Sequence, residues 1–195
     1  MSNISHLEES IILKFARFKI QLVLFFVFMG LFSLSFQIGA MSKVSYEEAN
    51  AFADGFQSIM DETDGIGIFV NNFLATLPMF VPGFGIVWGL YTAWSTGFGF
   101  AAIISTMPGL SEIQPLSILF LSPFGVMELI AYSIALSCSF YFIYTIINKV
   151  KSKSPIKSAL KSQIKPSLIQ IGIALALLLA AGFLEDYIIK SVQAL

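Results

Sequence analysis

Charge is scarce in this chain. Of its 195 residues only 12% are Asp, Glu, Lys or Arg, about half the fraction usual in a soluble domain. Histidine and cysteine are nearly absent, with one of each. A lone cysteine, Cys138, excludes an intrachain disulfide and a paired-cysteine metal site. His6 and Cys138 cannot by themselves supply the ligands of a zinc, haem or copper centre, so no metal and no cofactor is expected. The only rich basic run, residues 149–165, lies between two apolar segments, which argues against nucleic acid as a partner. No internal repeat is evident, inverted or otherwise, which argues against a standard secondary transporter.

What the chain has instead is apolar mass. It is 56% hydrophobic, and its length suits one membrane domain over residues 1–195 with no second globular unit. A span needs about 20 apolar residues to cross about 30 Å of hydrocarbon. Five segments qualify as an all-α polytopic bundle: about 20–39, 66–80, 84–104, 124–148 and 167–189. Pro78 and Pro82–Gly83 break the second from the third, and Pro123 and Gly125 break the approach to the fourth. The glycines of the third span, Gly83, Gly85, Gly89, Gly97 and Gly99, predict that it sits inside the bundle. Residues 20–39 are too long for the apolar core of a cleaved signal peptide, and no small-residue cleavage site follows.

Amphipathic surface helices flank these spans. Ser5 and Glu8 read as a capping box that starts an interfacial segment before the first span. In that segment Lys14, Arg17 and Gln21 share one face. Ser45 and Glu48 form a second capping box, and apolar residues from Tyr46 to Met60 recur at helical spacing. The polar face of this helix is acidic: Glu47, Glu48, Asp54, Asp61 and Glu62. Asp64 or Thr63 caps the second span; the acidic run 61–64 lacks the pattern of a calcium loop.

Basic residues set the orientation. Lys14, Arg17 and Lys19 flank the first span, and six lysines fill the segment between the fourth and fifth. With an odd number of spans these two clusters share a side. The expected topology at the cell membrane is therefore N-terminus cytoplasmic and C-terminus outside.

Few residues could carry chemistry. Asn71 and Asn72 sit side by side at bilayer depth. Adjacent helical residues differ by about 100°, so they cannot face the same neighbour. They line a polar cavity, or they tie helices together. Glu128, after Pro123 and Gly125, is the only acid well inside a span. No Lys or Arg shares its depth, so it should be protonated, hydrogen-bonded or facing water. Asn71 or Asn72 is its expected partner, in an intramembrane site beside Pro123 and Gly125. Lys153, Lys157, Lys161 and Lys165 recur every four residues beside Ile156, Leu160 and Ile164, which predicts a separate interfacial helix on anionic headgroups. Glu185 and Asp186 read as solvated, and Trp88, Tyr91 and Trp94 as packing residues. No nucleophile–base pair or phosphate loop is present, so no catalytic residue is expected and the chain is not expected to be an enzyme.

An Asn-Asn pair, a glycine-rich span, then Pro123, Gly125 and Glu128 together resemble the stage II sporulation protein M family over residues 66–189. The family pattern has a histidine where this chain has Phe124, and often an Asn-Gly near Trp94–Gly97. The first difference puts a mechanism needing a His–Glu pair in question. The resemblance implies a small bacterial or archaeal membrane protein. In its founding members it implies a scaffold for peptidoglycan-degrading partners during engulfment. The expected function is a non-enzymatic membrane scaffold or accessory subunit. Its partners would be membrane lipids, anionic on the cytoplasmic side, other membrane or extracytoplasmic proteins, and other copies of itself in a homo-oligomer. The alternative is a small transporter or channel-like protein using Asn71, Asn72 and Glu128.

Overall fold

A computed structural model describes the backbone of residues 2–106, 113–153 and 155–193. The side chains of 2–14, 16, 56–62, 156, 158–159 and 192–193 lie outside it, among them His6, Ser5, Glu8, Asp61, Glu62 and Ile156. All the described elements are helical. They are α1 (Ser2–Ala40), α2 (Tyr46–Glu62), α3 (Gly65–Thr76), a 3-10 turn (Leu77–Phe80), α4 (Phe84–Thr106), α5 (Pro115–Leu121), α6 (Pro123–Lys151) and α7 (Ile156–Gln193).

Two expected boundaries dissolve. The helix start expected at Ser5 is already inside α1, which begins at Ser2 and runs into the first span. No glycine or proline precedes Gly30 to stop it. The lysine-bearing segment is likewise the first part of α7, not a separate helix. Pro166 removes one backbone donor, yet the helix continues through it; the surrounding ladder holds. Other starts follow the sequence. Ser45 Oγ accepts from Glu48 N (3.3 Å), while Ser45 N donates to the Glu48 carboxylate (3.1 Å). Asp64 accepts from Gly67 N at 2.9 Å and caps α3.

Among the described residues three stretches are long and apolar enough to cross a membrane: Arg17–Ala40 of α1, Pro123–Lys151 of α6 and Leu160–Ser191 of α7. The other two expected spans differ from these. Gly65–Phe80 is a shorter apolar helix, and α4 is diluted by Gly85, Gly89, Gly97, Gly99 and several hydroxyls.

Phenylalanines and small residues hold the helices together. Phe28, Phe32 and Phe36 of α1 are buried with Leu129, Leu136 and Leu178. Phe32 stacks on Tyr132 of α6 with ring centroids 5.1 Å apart. The predicted interior position of the glycine-rich helix holds: Gly85, Gly89, Gly97 and Gly99 are buried. A Cβ on Gly97 would collide with Phe36 O of α1, and one on Gly39 with Trp94 O of α4. Gly182 of α7 meets α3 in the same way, against Gly65 O and Phe69 N. Phe52 of α2 rests on Gly99, which docks the acidic helix on α4.

Between α3 and α4 the chain breaks. Pro78 opens the 3-10 turn, and Gly83 adopts φ +80°, a left-handed conformation that suits glycine. The freed backbone groups are met by one residue of α6. Ser139 Oγ donates to Val81 O (2.7 Å) and accepts from Gly83 N (3.1 Å). Ser139 lies near the middle of α6, about 20 Å from either end at 1.5 Å per residue. From this break α4 runs back toward the C-terminal end of α1, where Gly97 meets Phe36 and Ala40. α3 begins at that same level, since Gly65 touches Gly182 near the C-terminal end of α7. α3 and α4 therefore form a hairpin in one half of the bundle.

Candidate functional site

The polar site sits where this hairpin meets α6 and α7. Asn72 Nδ2 donates to Glu128 Oε1 at 2.6 Å. Asn71, one residue earlier, is exposed on the outer face. The pair thus divides as helical geometry requires, and Asn72 is the member that reaches the acid. Thr76 Oγ1 donates to Asn72 O (2.6 Å), and Trp88 Nε1 to Ala75 O (2.9 Å). These bonds hold the end of α3 as it approaches the break.

Glu128 is positioned by the start of α6. Ser122 caps the helix by accepting from Gly125 N at 3.0 Å, and Pro123 occupies the first turn, where a missing donor costs little. Gly125 is buried with Ile118 O of α5 where a Cβ would stand. Any larger residue would push the short helix α5 away. Glu128 follows on the next turn and faces α3. Pro123 and Gly125 therefore aim the acid and do not touch its carboxyl as partners.

Two further groups converge that were not expected. Tyr132, one turn along α6, lies beside Glu128. Glu185 of α7 is near enough for its charge to act on both. It is half-buried, not solvated. A signal was present: Ala174, Leu178 and Ala181 are buried on α7, and Glu185 follows them at helical spacing. Asp186, its neighbour, pairs with Lys190 at 2.8 Å. The arrangement can hold one carboxyl in a fixed place by the Asn72 amide, with Tyr132 and a second carboxyl close by.

The remaining expected site residues stay outside this cluster. Lys153, Lys157, Lys161 and Lys165 are all exposed, with Leu160 and Ile164 exposed beside them. Lys153 closes the α6–α7 turn with φ 54°. Trp88, Tyr91 and Trp94 form a ladder of ring contacts along α4 with Phe84 and Phe98.

The family model for stage II sporulation protein M matches residues 20–188. The chain belongs to the stage II sporulation protein M family. That match takes in the hairpin, the Asn72–Glu128 contact and both long helices after it, so the site lies within the part of the chain that makes it a member. No match was found among curated proteins or among solved structures.

Proposed function

We propose that this family member is a non-enzymatic membrane scaffold or accessory subunit. In this reading α1, α6 and α7 cross the membrane and the α3–α4 hairpin dips in from the outer side without crossing. The N-terminus is cytoplasmic and the C-terminus outside, as the lysines of α7 and the basic residues before α1 favour. Three crossings keep the same orientation as five. The acidic helix α2, with Tyr46, Glu47 and Asp54 exposed, is then an outward platform for extracytoplasmic or membrane partners. The lysines of α7 face anionic lipid on the cytoplasmic side.

One observation carries the scaffold reading: the intramembrane carboxyl is already held by Asn72 at 2.6 Å. A group satisfied by protein donors stiffens a bundle and leaves little for a substrate to bind. The test is a pair of variants. Glu128→Gln keeps donor and acceptor capacity and should co-purify the same proteins from native membranes as the wild type. Glu128→Leu should lose them together with stability.

A second reading is proton- or cation-coupled transport. It is favoured by the closeness of Glu185 to Glu128, by the broken hairpin, and by Gln170 of α7, whose buried oxygen Oε1 has no partner. In that case Glu128→Gln would abolish gradient-driven flux in proteoliposomes while leaving stability and co-purification intact.

A further inference from the structure

At the other end of the bundle a single arginine is built into the helix packing. Arg17 of α1 donates from Nη2 to Gln163 Oε1 of α7 at 2.5 Å. Its guanidinium lies over the Tyr141 ring of α6, 5.2 Å from the centroid. Gln163 is only 5% exposed, so its amide cannot turn freely. Its Nε2 donates to Thr145 Oγ1 (3.2 Å), and Thr145 Oγ1 donates to Tyr141 O (2.8 Å). That relay fixes the Gln163 oxygen toward the arginine and holds the guanidinium in one orientation.

The partners are all neutral. Among the described residues the one ion pair is Lys190–Asp186, at the far end of α7. An arginine cannot shed its proton, and one bond to an amide leaves four of its five N–H donors for other acceptors. The position is the first residue of the apolar stretch of α1. A guanidinium without a counter-ion at the hydrocarbon boundary is costly. Lys19, two residues on, adds charge of the same sign. Among the described residues no carboxylate meets this guanidinium, which leaves its free donors to an anion from outside the bundle.

We propose that Arg17 is a defined binding site for the phosphate of an anionic phospholipid. Guanidinium and phosphate match in planar, two-pronged geometry. An apolar surface for the lipid tail lies a turn further along α1, where Ile20 and Val23 are exposed beside Leu24 and Lys19 in a shallow, open hollow. This differs from the lysine band of α7. Those side chains are exposed and attract any anionic surface; Arg17 is oriented in advance by a buried amide and selects one headgroup. The inference assumes that this end of the bundle meets a lipid headgroup layer, as in the arrangement proposed above. It can be tested in micelles, which have no sidedness, so its failure would leave the proposed orientation and scaffold role standing.

The experiment uses the full chain purified in neutral detergent. Phosphatidylglycerol, phosphatidylcholine of the same chain length and inorganic phosphate are each titrated, with bound molecules counted by native mass spectrometry and stability followed by thermal unfolding. One phosphatidylglycerol should bind with at least about tenfold preference over phosphatidylcholine, and Arg17→Gln should remove that preference. Gln163→Glu is the decisive variant. It places a carboxylate against the guanidinium, so it should keep the fold and still expel the lipid. Lys157→Gln with Lys161→Gln should leave the single tight lipid in place. Three results would overturn the proposal: unchanged lipid binding in Gln163→Glu, loss of binding only with the lysines, or equal stabilisation by inorganic phosphate alone.

Discussion

Gly39 and Gly97 each face the backbone of the other's helix. A Cβ on Gly39 would meet Trp94 O, and one on Gly97 would meet Phe36 O. The contact is reciprocal, so α1 and α4 can pack this closely only while both positions lack a side chain. Gly30 and Gly172 are different, since nothing stands within 4 Å of where a Cβ would go. Gly39→Ala or Gly97→Ala should therefore destabilise the protein by about 1–3 kcal/mol, as overpacking does. Gly30→Ala and Gly172→Ala should be neutral or stabilising by up to about 1 kcal/mol. Thermal unfolding in detergent separates the two classes.

Asn72 and Asn71 should part in the same kind of measurement. Asn72→Ala leaves the Glu128 carboxyl without its amide and should cost about 1–3 kcal/mol. Asn71→Leu, on the exposed face, should cost nothing in detergent. Equal effects from the two would refute the assignment of the contact.

Ser139 meets both Val81 O and Gly83 N. Ser139→Ala strips two backbone groups of their partner at once, at about 1–3 kcal/mol for each buried group left unmet. Hydrogen exchange should rise at Gly83 more than at the ends of α6. A uniform rise along α6 would mean the serine serves general packing.

Cysteine labelling distinguishes three crossings from five. In a Cys138→Ala background, Glu47→Cys should react with an impermeant thiol reagent in whole cells, and Lys157→Cys only after the inner side is opened. Val81→Cys at the tip of the hairpin should react from neither side. Reaction of Val81→Cys from the cytoplasmic side would establish a hairpin that crosses fully.

The capping box of α2 carries a pH dependence. Hydrogen bonds from Ser45 hold the Glu48 carboxyl below its usual value of 4.5. A depressed acid contributes stability that is present above the unfolded value and lost as pH falls through the folded one. The start of α2 should therefore loosen in acid below about pH 4.5, and Ser45→Ala should move the Glu48 titration, read by NMR, back toward that usual value. No change in the titration would remove the capping role.

How much of this was legible in the sequence depends on what each signal measures. The sequence pairs Glu128 with one of Asn71 and Asn72 because so few polar groups lie at that depth and no basic residue competes. Which asparagine made the bond depended on helix rotation, and that is set by how Gly65 and Phe69 pack on Gly182. Apolar length revealed α3 and α4 but not their height in the bundle, because hydropathy is blind to where a break is anchored. Ser139 looked like one serine among several in α6. Glu185 was set aside because it stands beside Asp186 near the chain's end, though buried neighbours a turn earlier share its face. Arg17 was read on a polar helix face, and nothing local disclosed Gln163, far along the chain, as its partner.

The anchoring of the hairpin also dictates an order of events during synthesis. α3 and α4 leave the ribosome before α6 exists, yet Asn72 needs Glu128, and Val81 and Gly83 need Ser139. Until α6 arrives these groups have only water or the insertion machinery as partners. In the arrangement proposed above, the hairpin waits at the membrane surface and sinks into place after α6 has been threaded. Assembly of this bundle thus runs out of sequence order, and a ribosome stalled before residue 139 should leave residues 65–106 accessible to protease.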